Sequence, residues 1–231
     1  MKTPGLRLTG AALAVLLGIW AGARIYSTRG IPPDRGVRVP AGVASASDPR
    51  DGAIFDTQAS HPVVPTRLPD FALNDLAGKS IPISTWSGKS LVINFWATWC
   101  APCRHEVPLL KSLASEWGAR GLTVVGIAVD YKDKVQEFAS QFKIDYPLLI
   151  GEQDALDVAA KFGMDSPAFP FTVFTDRRGE VVALFVGELH RLQADLILSV
   201  VENLNQDKVQ LPEARRRIAA GLEALVQNQT G

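Results

Sequence analysis

Cys100 and Cys103 are the only cysteines among the 231 residues, and just Ala101 and Pro102 separate them. The run Leu91-Val92-Ile93-Asn94-Phe95-Trp96 precedes them and reads as a buried strand. A helix is predicted to start at Pro102, whose missing N–H and preset φ suit a first-turn position. The pair therefore stands where a strand hands over to a helix, which ties this stretch to a βαβ pattern around a central sheet.

That junction has chemical consequences. Unpaired amides and the positive end of the dipole at a helix N-terminus stabilise an anion, so Cys100 is favoured as a thiolate and as the attacking nucleophile. Cys103, one turn further in, can attack a mixed disulfide and release the partner. A bridge across two residues closes a very small loop and constrains the unfolded chain little, so redox chemistry explains the spacing better than a structural staple. The three histidines, at 61, 105 and 190, supply no H-x-x-x-H, and no second C-x-x-C exists to complete a zinc site. No metal and no cofactor is expected.

The 24 Lys and Arg residues balance 24 Asp and Glu, which gives no support to a nucleic-acid partner. Arg215-Arg216-Arg217 reads as a solvated helix face. Near the N-terminus, Lys2 and Arg7 precede an uncharged run from Leu8 to Ala23. Residues 1–24 read as an export signal. Ala21-Gly22-Ala23 resembles a cleavage site, whereas Trp20, Tyr26 and the long spacer that follows fit a retained anchor, which is the preferred reading. Either way the rest of the chain is expected outside the cytoplasm, where disulfides persist. Residues 25–65, rich in Pro, Gly, Ala and Ser, read as a flexible linker.

Residues 66–206 read as one α/β domain. Leu68 to Leu73 opens it, and Gly78-Lys79-Ser80 turns a hairpin back through Ile81-Pro82-Ile83. Leu122–Val129 is a second buried strand, Asp133 caps a helix carrying Val135, Phe138 and Phe142, and residues 147–150 are extended. Ala155–Phe162 forms a helix ended by Gly163. Residues 172–175 and 181–186 make an antiparallel hairpin about Asp176-Arg177-Arg178-Gly179. Leu189, Leu192, Leu196 and Val200 mark the last core helix, and residues 207–231 a further helical extension starting near Pro212.

This order, strand, helix, strand, helix, hairpin and helix, is that of a thioredoxin-like fold, a central mixed sheet flanked by helices. The stretch from Phe71 to Glu188 resembles the TlpA-like and ResA-like group of bacterial, membrane-tethered thioredoxin-like oxidoreductases. Residues Asn94 to Pro108, which include Trp99-Cys100-Ala101-Pro102-Cys103, carry the resemblance. The resemblance implies that Cys100 attacks and Cys103 resolves, through a redox-active disulfide. Asn94 stands where cytoplasmic thioredoxins keep a buried aspartate, so Glu106, on the same helix face as Cys103, becomes the candidate proton acceptor. An acidic residue in the first turns of a helix also simply suits the dipole.

The resemblance further implies that Pro170 is a cis-proline facing the cysteines and aiming backbone groups at an incoming peptide. The loop departs from the family pattern in Phe169 and Phe171, and in a longer approach through Asp165-Ser166-Pro167-Ala168. Phe169 reads as a docking residue and Phe171 as core. Trp99 reads as an exposed platform beside the thiol, Trp96 as packing, and Arg104 and His105 as solvent-facing sources of positive potential.

The partners expected are exported proteins with cysteines, such as apocytochromes c or copper-site assembly factors, and a membrane electron donor for re-reduction. The protein is expected to be a monomer. Two other readings stay open at this point. Reduced Cys100 and Cys103, aided by Met164, suit a Cu(I) chaperone. A peroxidase of the peroxiredoxin type would place Pro and Thr seven and three residues before its cysteine, where Ile93 and Ala97 stand.

Overall fold

The computed structural model describes residues 64–229. The expected signal or anchor, and nearly all of the linker, lie outside the described residues. Among the described residues no helix is long and apolar enough to cross a membrane.

Strands β1 (Ala72–Asp75), β2 (Ser80–Pro82), β3 (Ser90–Trp96), β4 (Leu122–Val129), β5 (Leu148–Gly151), β6 (Phe171–Thr175) and β7 (Val181–Val186) form one mixed sheet in the order β2-β1-β5-β4-β3-β6-β7. The parallel pairs are β3 with β4 and β4 with β5; the outer pairs are antiparallel. Helices α1 (Ala101–Gly118), α2 (Lys132–Phe142), α3 (Gln153–Ala160), α4 (Arg191–Asn205) and α5 (Leu211–Gln229) complete the described chain. The segment expected to be merely extended after Pro147 is a full member of the sheet.

All seven residues of β3 are buried, because helices cover both faces of the sheet. Alternation then divides them. Val92 and Trp96 join the layer beneath α1, α2, α4 and α5, while Leu91, Ile93 and Phe95 face α3 and the Ile83–Trp86 turn. Asn94, between Val92 and Trp96 in sequence, falls on the α1 side. It pairs across the sheet with Thr172 of β6. Packing on the far side is aromatic, with Phe95 stacked on Phe171 at 4.3 Å and meeting Phe162 edge to face.

Three details of the sequence reading change. Asp133 does not cap α2: that helix begins at Lys132 with Tyr131 as its N-cap, so Asp133 sits in the first turn, where its charge suits the dipole. Leu192 is 61% exposed, since the buried stripe of α4 runs through Ala194, Ile197, Leu198, Val201 and Leu204, and a residue two before Ala194 points the other way. The Arg215-Arg216-Arg217 run is also not simply solvated. Arg216 and Arg217 pair with Glu213, whereas Arg215 donates to the Val181 carbonyl of β7. Helix α5 thereby holds the edge strand, with Ala214 and Ile218 buried against the domain.

Gly126 of β4 is a point of close packing beside the α1 layer. A Cβ there would lie 2.7 Å from Leu148 Cδ2, 3.1 Å from Trp96 Nε1 and 3.2 Å from Tyr146. Gly126→Ala is therefore expected to destabilise the domain by about 1–3 kcal/mol through overpacking. A lowered urea midpoint with an unchanged slope would register this.

Candidate functional site

Helix α1 begins immediately after Cys100, which serves as its N-cap, with Pro102 in the first turn. The Cys100 sulfur accepts from the Cys103 N–H at 3.3 Å. Cys100 and Cys103 are joined by a disulfide, so the site is described in its oxidised state. Both cysteines are buried, Cys100 at 5% exposure and Cys103 at 2%. The helix runs on through Pro108 as one element.

The loop leading into the cysteines is held from two sides. Asp130, just past the end of β4, accepts from the Thr98 N–H at 3.1 Å and from its hydroxyl at 2.5 Å. Arg104 donates back to the Thr98 carbonyl at 3.2 Å. This leaves Trp99 66% exposed beside Cys100, with its ring edge to face with Phe169 at 5.9 Å. Phe169 in turn stacks on Phe171 at 6.3 Å. The Phe169–Pro170 bond is cis, and the Pro170 carbonyl accepts from the Gly187 N–H at 2.8 Å. Phe171 is fully buried core, whereas Phe169 is half-buried and packs against both core layers while touching Trp99.

On the inner side of α1, one turn beyond Cys103, Glu106 is 1% exposed. One oxygen accepts from Asn94 Nδ2 at 3.0 Å, and that same amide donates to the Thr172 hydroxyl at 3.0 Å. The other oxygen accepts from the backbone N–H of Leu189, in the corner between β7 and α4. Burial pushes the carboxyl up to about 7; the Leu189 and Asn94 donors pull against that shift, and the charge of Glu188 adds to it. Tyr146 is also shifted upward, first by its own burial and then by Glu106 and Asp145. The carboxyl is thus poised to hold or release a proton near neutral pH.

Outside this carboxylate the same corner touches α1 a second time. His105 Nδ1 lies 3.3 Å from Glu188 Oε2, and His190 Nδ1 lies 3.9 Å from Glu188 Oε1. Both imidazoles are largely exposed.

The structure therefore brings Cys100, Cys103 and Glu106 together on α1, with Trp99, Phe169 and Pro170 along one flank. Met164 is not with them: it packs in the layer facing α3, opposite the one that holds both sulfurs. Among the described residues no group of three or more His, Cys, Asp or Glu side chains is arranged to hold a metal ion. Asp130, Thr172 and Glu188 escaped the sequence reading. Their only signals are their positions at strand ends or opposite Asn94, which become visible once strand register is known.

The AhpC/TSA family model matches residues 64–184. The thiol-disulfide oxidoreductase ResA of Geobacillus kaustophilus is 32% identical over 136 residues, which cover 58% of this chain and 76% of that protein. Among solved structures, a secreted thiol-disulfide isomerase from Corynebacterium glutamicum is similar with a TM-score of 0.53 at 30% identity, over 70% of this chain and 99% of that one. A thiol:disulfide interchange protein assigned as DsbE, from Chlorobium tepidum, matches with a TM-score of 0.51 at 25% identity, over 69% of this chain and 98% of that one. These relatives carry names of disulfide exchange, in keeping with Ile93 and Ala97 standing where a peroxidase needs Pro and Thr. The chain belongs to the AhpC/TSA family, on its thioredoxin-like side, and is a thiol-disulfide oxidoreductase.

Proposed function

We propose that the protein reduces disulfides of exported proteins outside the cytoplasm, held to the inner membrane by residues 1–24, with Cys100 and Cys103 as its catalytic dithiol. The observation that carries the reading is Glu106, a carboxylate buried one helical turn from Cys103 and tuned to exchange a proton near neutral pH. The reaction runs in two displacements. The Cys100 thiolate attacks one sulfur of the substrate disulfide, forming a mixed disulfide and expelling the other substrate sulfur as a thiolate, which takes a proton from water. Cys103 then gives its proton to Glu106 and attacks the Cys100 sulfur. The second substrate sulfur leaves as a thiolate and takes the proton from Glu106, which returns the carboxylate, while the two thiols of the protein have been oxidised by two electrons to the Cys100–Cys103 disulfide. A membrane dithiol donor restores the pair by the reverse exchange.

Trp99, Phe169 and Pro170 make up the substrate flank in this reading. An extended segment lies along Pro170, and the aromatic pair receives an apolar side chain next to the substrate cysteine. Apocytochromes c and copper-site assembly factors are the substrate classes the resemblance favours. The export signal at residues 1–24 and the C-x-x-C pair support the compartment.

Equilibration with dithiothreitol and glutathione buffers tests the direction of electron flow. A reductase is expected to give a potential close to the thioredoxin value of about −270 mV, whereas a value close to about −120 mV would make the protein an oxidant.

A further inference from the structure

The corner between β7 and α4 meets α1 through two adjacent residues on each side. Leu189 gives its amide to Glu106, and Glu188 lies against His105, the residue preceding Glu106. The first contact is buried. The second is half open to solvent, with Glu188 27% and His105 68% exposed at the side chain.

We propose that Glu188, held in place by His105, is a positioning residue that sets the pH at which Glu106 serves Cys103. It does so in two ways. Its contact with α1 fixes the corner that delivers the Leu189 amide, and its negative charge opposes ionisation of the neighbouring carboxyl. This inference rests on the proposed role of Glu106 in proton exchange and adds to it a group on a different element.

Among the charges and donors around Glu106, Glu188 is the one whose charge can be removed while its oxygen contact with His105 is kept. From α1 come Cys103 and His105, from β3 Asn94, and from β6 Thr172 through the Asn94 amide. Tyr146, in the loop before β5, feels the Glu106 charge and stays a neutral phenol. From the corner come the Leu189 amide, Glu188 and His190, the last 3.9 Å from Glu188. Among these, Glu188 is the one acidic side chain whose charge raises the proton affinity of Glu106. The negative charge of Glu188 opposes ionisation of Glu106, as the smallest of the influences on that carboxyl after burial and the Leu189 and Asn94 donors.

Glu188→Gln removes the charge and keeps an oxygen for His105. Full-length reduced protein is reacted in single turnovers with an aromatic disulfide whose released thiol is coloured, across pH 5.5 to about 9. The Glu106-dependent inflection is expected to move down by roughly half a pH unit in the glutamine variant, so the rate below the inflection rises about threefold. In a Glu106→Gln background, Glu188→Gln is expected to change nothing. An unmoved inflection in the single variant overturns the proposal, as does a shift that survives in the Glu106→Gln background, because the charge would then act on the sulfurs directly. If Glu106→Gln alone leaves the profile as in the unaltered protein, the proton-exchange role of Glu106 itself is wrong. A merely structural Glu188 would lower the melting temperature without displacing the inflection.

Discussion

Replacing Cys100 by serine is expected to end disulfide exchange, with a loss of at least about 10³-fold in the rate of peptide disulfide reduction. Replacing Cys103 by serine should leave the first displacement intact and stall the protein as a covalent mixed disulfide with its substrate. The reason lies in the first turn of α1. Cys100 sits at the N-cap, and the Cys103 amide already points at its sulfur, so the developing thiolate meets a donor and the positive end of the helix without rearrangement. Cys103 lies inside the first turn at 2% exposure, beneath the position an incoming substrate sulfur would take. Non-reducing electrophoresis of the two variants with a disulfide-bonded peptide separates the roles. An adduct in Cys103→Ser and none in Cys100→Ser is the expected pattern, and the reverse would exchange the roles of the two residues.

The sequence carried the fold because its strongest signals are local. Leu91–Trp96 and Leu122–Val129 are apolar runs of strand length with no amphipathic alternation, the pattern a strand shows when both faces are covered, and the structure buries them in the centre of the sheet. The turn at Asp176–Gly179 set the β6–β7 hairpin for a similar reason, since Asp176 accepts from the amides of Arg178 and Glu180 within the turn itself. Where the structure departs from the local sequence pattern, the deciding contact comes from far along the chain. Leu192 fits a helical period counted from Leu189, yet Leu189 precedes α4, and the stripe that packs is set by the helix's seating on the sheet. At the site, the cysteines and Glu106 were legible because they share one helix. That Glu106 is buried was not legible: its burial depends on Asn94 projecting from β3 and on an amide 83 positions away. Glu188 stayed hidden for the same reason, since nothing local to Gly187-Glu188-Leu189 points to α1.

Glu106→Gln should slow resolution by Cys103 on the order of 10²-fold at pH 8 and remove the inflection near neutral pH, while leaving formation of the mixed disulfide with Cys100 largely unchanged. Only the carboxylate form can accept the Cys103 proton. With the carboxyl pushed to about 7 by burial, the unaltered protein's resolution rate must rise as pH climbs through that value, and a glutamine cannot reproduce the rise. Stability gives a second readout of opposite sign. In the unfolded chain Glu106 ionises at its ordinary value of 4.5, so below that pH it is protonated in both states and the folded protein has its full stability. As pH rises from there through about 7, the unfolded chain loses its proton first, and the folded state is left with a carboxyl that resists ionisation, so stability falls by about 3 kcal/mol across this window. Urea unfolding of the oxidised protein at pH 4.5 and pH 8 should show that decline on top of the contributions of other groups, and Glu106→Gln should flatten it by a similar amount. A variant that loses the kinetic inflection and also flattens the stability profile ties both effects to one buried carboxyl. Flattened stability with an intact inflection would leave the carboxyl buried as described but assign the proton transfer to another group.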